Sequence, residues 1–141
     1  MAGYSETPLA KKLGIKEGFR VALVGAPKGF RSELAGLPKR VDFVASVEAS
    51  LDLIVLFTIS RSDLLGNFSR LAAHLAPAGM LWIAWPKKAS GVPTDLSDGV
   101  VRQIGLDAGL VDTKVCAVNE IWSGLKFVIR VKDRPKTPQR E

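Results

Sequence analysis

The chain has 141 residues, 47% of them hydrophobic, and a formal net charge of +6. That is the size of one domain, able to bury its own core without disulfides or metals, and the single cysteine excludes a disulfide framework. The longest apolar runs, Leu51 to Ile59 and Gly79 to Trp85, fall far short of the roughly 18 to 20 residues that span a bilayer; with no basic-then-apolar leader, a cytoplasmic protein without membrane contact is expected.

The basic balance, with a pI near 9.7, points to an anionic partner. The segment Lys132 to Glu141 holds four bases and two acids among prolines and reads as a disordered basic tail after a domain of residues 1–131. The other lysines and arginines are spread along the chain. No aromatic-interleaved basic stripe or zinc-finger spacing appears, so a small anionic ligand is expected and nucleic acid is not.

In chain order, Thr7 to Gly14 reads as a short helix with Thr7 as its cap, Pro8 at its first position and Gly14 as its stop. Arg20 to Val24 is a β-branched apolar run that ends in Gly25-Ala26-Pro27-Lys28-Gly29, a buried strand turning into a glycine-rich loop. A helical turn near Ser32 to Leu37, closed by Pro38, and a short strand at Val41 to Val44 follow. Leu51 to Phe57 is the clearest strand, apolar on both faces.

Ser60 or Ser62 caps the next helix, whose Leu64, Leu65, Phe68, Leu71, Ala72 and Leu75 recur at helical spacing. That helix stops at Pro77 and Gly79 and feeds the strand Met80 to Trp85. Thr94 caps a further helix with the stripe Leu96, Val100, Ile104 and Ala108, ended by Gly109. Val111 to Val118 and Leu125 to Val131 are too close for a parallel return and predict an antiparallel hairpin with its loop at Asn119 to Gly124. Cys116, inside the first of these strands, reads as core.

This order predicts an α/β, Rossmann-like three-layer domain with a mostly parallel sheet ending in an antiparallel hairpin. It resembles the fold of class I S-adenosylmethionine-dependent methyltransferases over about Lys16 to Lys132, best at the helix, Pro-Gly turn and strand of Leu71 to Ile83. Separately, Trp85-Pro86-Lys87-Lys88-Ala89-Ser90-Gly91, Thr94-Asp95-Leu96 and Glu120 to Phe127 resemble a family of small bacterial proteins without an assigned activity. That second resemblance implies a bacterial, single-domain protein and nothing about reaction type.

Against the methyltransferase pattern, the domain reads as abbreviated. Those enzymes place Gly-x-Gly-x-Gly after the first strand, where this chain has Gly25, Pro27 and Gly29, and Pro27 has no amide hydrogen. The acidic residue that would hold the ribose has no counterpart, since Asp42 opens the second strand and Glu48 lies beyond it. The stretch from Gly29 to Leu51 is too short for the usual helix, strand, helix and strand, so one or two strands are expected to be missing.

The carboxyl ends of the strands would gather the Gly25 to Gly29 loop, Thr58 to Arg61, Trp85 to Lys88 and the hairpin loop. The ligand-binding candidates there are Gly25, Lys28, Gly29, Lys87, Lys88, Glu120, Trp122 and Ser123. Lys87 and Lys88 are either a phosphate or carboxylate clamp or two solvated lysines. Trp122 either stacks on a ligand or closes the hairpin over the core, and Gly25 and Gly29 either hold an anion or serve the turn alone. His74, off its helix's stripe, reads as a surface residue, and neither it nor Asp52 has a partner in sequence, so no catalytic or metal-binding residue is assigned.

The leading functional expectation is therefore a Rossmann-like binding or regulatory module with a basic edge and no catalysis. S-adenosylmethionine is disfavoured as a cofactor on this reading. The alternatives are a small S-adenosylmethionine-dependent methyltransferase with an atypical loop, and a structural subunit acting through a protein partner or a homodimer if Trp82, Trp85 and Trp122 are exposed.

Overall fold

A computed structural model of the chain describes residues 7–47 and 50–134. Six strands form one sheet in the order β2-β1-β3-β4-β6-β5. They are β1 (Arg20–Val24), β2 (Asp42–Phe43), β3 (Leu51–Phe57), β4 (Leu75–Pro86), β5 (Leu110–Ala117) and β6 (Trp122–Ile129). The first four run parallel, while β6 is antiparallel to both of its neighbours, β4 and β5. This is the Rossmann-like α/β arrangement the sequence implied. Among the described residues no helix is long and apolar enough to cross a membrane.

Alternation from Leu53 to Phe57 along β3 sorts the core into two halves. Ile54 and Leu56 face α2 (Arg61–Ala72) and α3 (Asp98–Asp107), while Leu53, Val55 and Phe57 face α1 (Leu9–Leu13) and a 3-10 turn at Phe30–Glu33. Because β3 lies between β1 and β4 and is covered on both faces, it needs no polar alternation. Leu64, Phe68 and Leu71 bury the inner stripe of α2, each fully buried apolar side chain contributing about 1.5 to 3 kcal/mol. Phe68 meets Phe127 of β6 edge-on at 5.2 Å.

Several boundaries differ from the sequence reading. Helix α1 begins after Pro8, which takes the cap position expected for Thr7. Helix α2 ends at Ala72, and β4 starts at Leu75, so Pro77 and Gly79 lie inside that strand at a register shift against β3. Gly79 is required there, since a Cβ would stand 2.9 Å from the Leu51 carbonyl oxygen. Ser97 caps α3 by accepting from the Val100 amide, whereas Thr94 bonds back to the Ile59 carbonyl. Leu65 is exposed and outside the core, while Cys116 is half-buried and packs against the core on the α1 side.

Among the described residues between Gly29 and Leu51 the chain makes one 3-10 turn and the two-residue β2, in place of the two helices and two strands of the methyltransferase pattern. Among those residues one strand is therefore absent and another is reduced to a stub. Glu48 lies outside the described residues, as do residues 135–141 of the expected tail; Val131–Asp133 forms a short 3-10 turn.

Candidate functional site

The carboxyl ends of β1, β2, β3 and β4 share one edge, and antiparallel β6 brings the β5–β6 connection to the same edge. Pro86 at the end of β4 pairs with Trp122 at the start of β6, and the Lys87 amide donates to the Ile121 carbonyl at 2.7 Å. Lys87 and the hairpin tip are thus adjacent. Thr94 and Asp95 close the far side, through the Thr94 hydroxyl to the Ile59 carbonyl at 2.5 Å and the Arg61 amide to Asp95 at 2.7 Å. The segment after β4 therefore runs along the edge from the hairpin to the start of α2.

At the end of β1, Gly25 adopts φ +70° and a Cβ on it would lie 2.9 Å from the Phe57 carbonyl oxygen. Only glycine lets the backbone pass this close to β3. Gly29, at φ +84°, opens the 3-10 turn, and the Pro27 carbonyl accepts from the Phe30 amide at 3.0 Å. Beside this loop a cleft of about 270 Å³ is lined by Leu23, Arg31, Phe43, Val44 and Ala45. It lies at the ends of β1 and β2, and the Arg31 guanidinium sits 4.1 Å from the centre of the Phe43 ring.

Under the edge, Phe57 meets Phe30 at 4.7 Å and Trp122 at 5.1 Å, both edge-on. Trp122 therefore closes the hairpin over the core, and it is half-buried within β6. Ser123 and Gly124 are also strand residues, opposite Trp85 and Ala84, so the connection is shorter than expected. Its geometry comes from Asn119, whose Oδ1 accepts from the Ile121 and Trp122 amides at 2.9 Å each while its Nδ2 donates to Glu33 at 3.0 Å. That last bond ties the hairpin to the 3-10 turn.

Gly25, Lys28 and Gly29 thus cluster at the end of β1, while Lys87, Lys88, Glu120 and Trp122 cluster at the ends of β4 and β6. Lys28, Lys88 and Glu120 are exposed, and Lys87 is half-buried. Sequence reasoning missed Arg31, Phe43 and Glu33, and it placed Asn119 in the hairpin loop without its bracing role, for which the signal was a turn-forming residue between two strands. Of the three tryptophans on which the partner reading rested, Trp82 and Trp85 are buried and Trp122 is half-buried. Asp52 accepts from the Arg20 amide, at the opposite edge of the sheet, and His74 is half-buried with its carbonyl taken by the Leu51 amide.

No family model matches the chain, and no curated protein matches it in sequence. Solved structures match in fold. A S-adenosylmethionine-dependent methyltransferase from Aquifex aeolicus is 19% identical with a TM-score of 0.56, covering 84% of this chain and 86% of that one. Magnesium protoporphyrin IX methyltransferase from Synechocystis PCC 6803, solved with S-adenosylmethionine bound, is 11% identical with a TM-score of 0.55, covering 86% and 74%. A protein from Bordetella parapertussis described as a possible exported protein is 12% identical with a TM-score of 0.63, covering 86% and 65%.

These likenesses establish the class I methyltransferase-like fold and correct two expectations. The non-catalytic module no longer leads, because methyltransferases recur among the proteins that share this sheet, and the methyltransferase alternative is the better supported. The disfavouring of S-adenosylmethionine falls with it, since that cofactor or its demethylated product is bound in several of them. The physical reason lies in magnitudes. One amide lost at Pro27 removes about 0.5 to 1.5 kcal/mol, against about 8 kcal/mol for micromolar binding. Gly25 and Gly29, at the first and third glycine positions, both take positive φ.

Proposed function

We propose that this protein is a small S-adenosylmethionine-dependent methyltransferase. The observation that carries the reading is Gly25, left-handed and pressed against the Phe57 carbonyl where parallel β1 and β3 end, beside an open cleft at the end of β2. The residues present fit the cofactor: backbone of the Gly25 to Gly29 turn would hold its amino acid part. The cleft at Phe43, Val44 and Ala45 would take the nucleoside, with Ser46 the nearest following hydroxyl.

The cofactor supplies a methyl group activated by a sulfonium sulfur. The chain's own contribution is placement, which alone is worth several orders of magnitude in rate when reactants are held in register. Lys28, Lys87 and Lys88 draw an anionic acceptor toward the edge. Trp122, braced by Phe57, and Ser123 and Glu120 beside it shape the acceptor side. The bacterial, single-domain and cytoplasmic readings of the sequence belong to the same proposal.

Titration calorimetry with S-adenosylmethionine and with S-adenosylhomocysteine tests it. Micromolar binding of either, with amide shifts at Gly25, Lys28 and Gly29, is the expected result. Absence of heat with both ligands in a folded sample overturns the reading.

A further inference from the structure

On the face that α1 packs against, Val21, Leu53, Val55, Trp82 and Ala84 are buried, but cover thins out over β5 and β6. There Cys116 and Lys126 are half-buried and Lys114 is exposed. Lys114 and Lys126 are register partners across the β5–β6 ladder, so two ammonium-bearing chains leave the same face from directly opposite positions. Lys12 reaches the same place from the end of α1, its Nζ donating to the Ala117 carbonyl at 3.2 Å. The Lys114 Nζ in turn donates to the Lys12 carbonyl at 3.3 Å.

Among the described residues no carboxylate pairs with these charges. The three lysines all act on the Cys116 thiol, Lys126 feels Lys114 against it and Cys116 in its favour, and among the described residues no carboxylate contributes to either environment. Among the described residues no salt bridge involves Lys12, Lys114 or Lys126, and Asp112, two residues before Lys114, is held by Arg102. Like charges placed opposite one another on a sheet lower stability, and a local rule broken without compensation is where a bound partner is expected. Three ammonium groups from three elements suit a compact anion with several oxygens and more than one charge. A planar carboxylate is better matched by an arginine fork, which is not part of this cluster.

We propose that Lys12, Lys114 and Lys126 form a binding site for a phosphate-bearing ligand on this sheet face, separate from the carboxyl edge. Inorganic tripolyphosphate is the probe. The wild-type protein binds it with an affinity that falls as ionic strength rises, and the amides of Lys114, Cys116 and Lys126 shift on titration. In Lys114→Gln with Lys126→Gln, binding weakens by about tenfold or more, and without ligand the variant melts no lower than wild type because a repulsion is gone. Should the double variant fail to fold, Lys12→Gln reports the same loss of binding.

A single-stranded oligoribonucleotide then separates the two sources of phosphate. Tighter binding than tripolyphosphate at the same residues identifies a phosphodiester backbone, and displacement by small phosphates alone identifies a phosphorylated small molecule. No binding by wild type, unchanged binding by the lysine variants, or shifts confined to Lys87 and Lys88 overturns the proposal.

Discussion

The indole Nε1 of Trp82 donates to the Leu13 carbonyl at 2.8 Å, across 69 positions of sequence and with both residues fully buried. That carbonyl is one of the orphan acceptors at the end of α1, so a side chain from the middle of β4 completes the helix. Trp82→Phe keeps the apolar bulk but leaves the carbonyl unpaired and a void beside it. A loss of about 2 to 4 kcal/mol in urea unfolding is expected. Unchanged stability would mean that water reaches the Leu13 carbonyl.

Two helical glycines give opposite expectations. A Cβ at Gly105 of α3 would enter the ring of Phe127, which is fully buried and held edge-on by Phe68, so Gly105→Ala should destabilise by about 1 to 3 kcal/mol despite alanine's better helix propensity. Gly66 of α2 faces open space, and Gly66→Ala should stabilise by roughly 0.5 to 1 kcal/mol. Paired chemical denaturation of the two variants measures both signs.

Gly25→Ala tests the loop. It forces a side chain into φ +70° and toward the Phe57 oxygen, pushing the turn away from β3. Calorimetry should show S-adenosylmethionine binding reduced by about tenfold or more, with the circular dichroism of the fold retained. Wild-type affinity in this variant would remove the loop from the cofactor site.

Arg102 holds the Asp112 carboxyl below its ordinary value, chiefly through the hydrogen bond of its Nε at 2.9 Å, with Asp98 on the same guanidinium. A depressed carboxylate contributes stability that is present above its unfolded value and is lost as pH falls through the folded one. Melting curves recorded downward from about pH 5 should therefore fall more steeply in wild type than in Asp112→Asn. The two proteins should differ most at neutral pH, and modestly, because the pair is only partly buried and solvent screens it.

What could be read from sequence was what rests on continuous apolar pattern. The runs Arg20–Val24 and Leu51–Phe57 are strands at the residues expected, and Ser60 caps the helix whose stripe was visible. Pro77 and Gly79 misled because a break in a helix and a bulge in a strand draw on the same residues. The gathering of strand ends into one edge followed from topology alone. Arg31 over Phe43 and the Glu33 to Asn119 bond did not, because they join irregular segments whose path no periodicity encodes. The lysine cluster depends on the register of β5 against β6, displaced between Asp112 and Lys114, and register across a bulge leaves no mark in composition.

The position of β6 between β4 and β5 also orders events in time. Emerging from a ribosome, β4 has no neighbour on one side until β6 exists, and β5, though made earlier, has nothing in the sheet to pair with. The penultimate strand must therefore wait, and the sheet closes around its last-made member. Until then β4 exposes an unpaired backbone edge, with Trp82 and Trp85 on its two faces, the kind of edge that invites aggregation and chaperone capture.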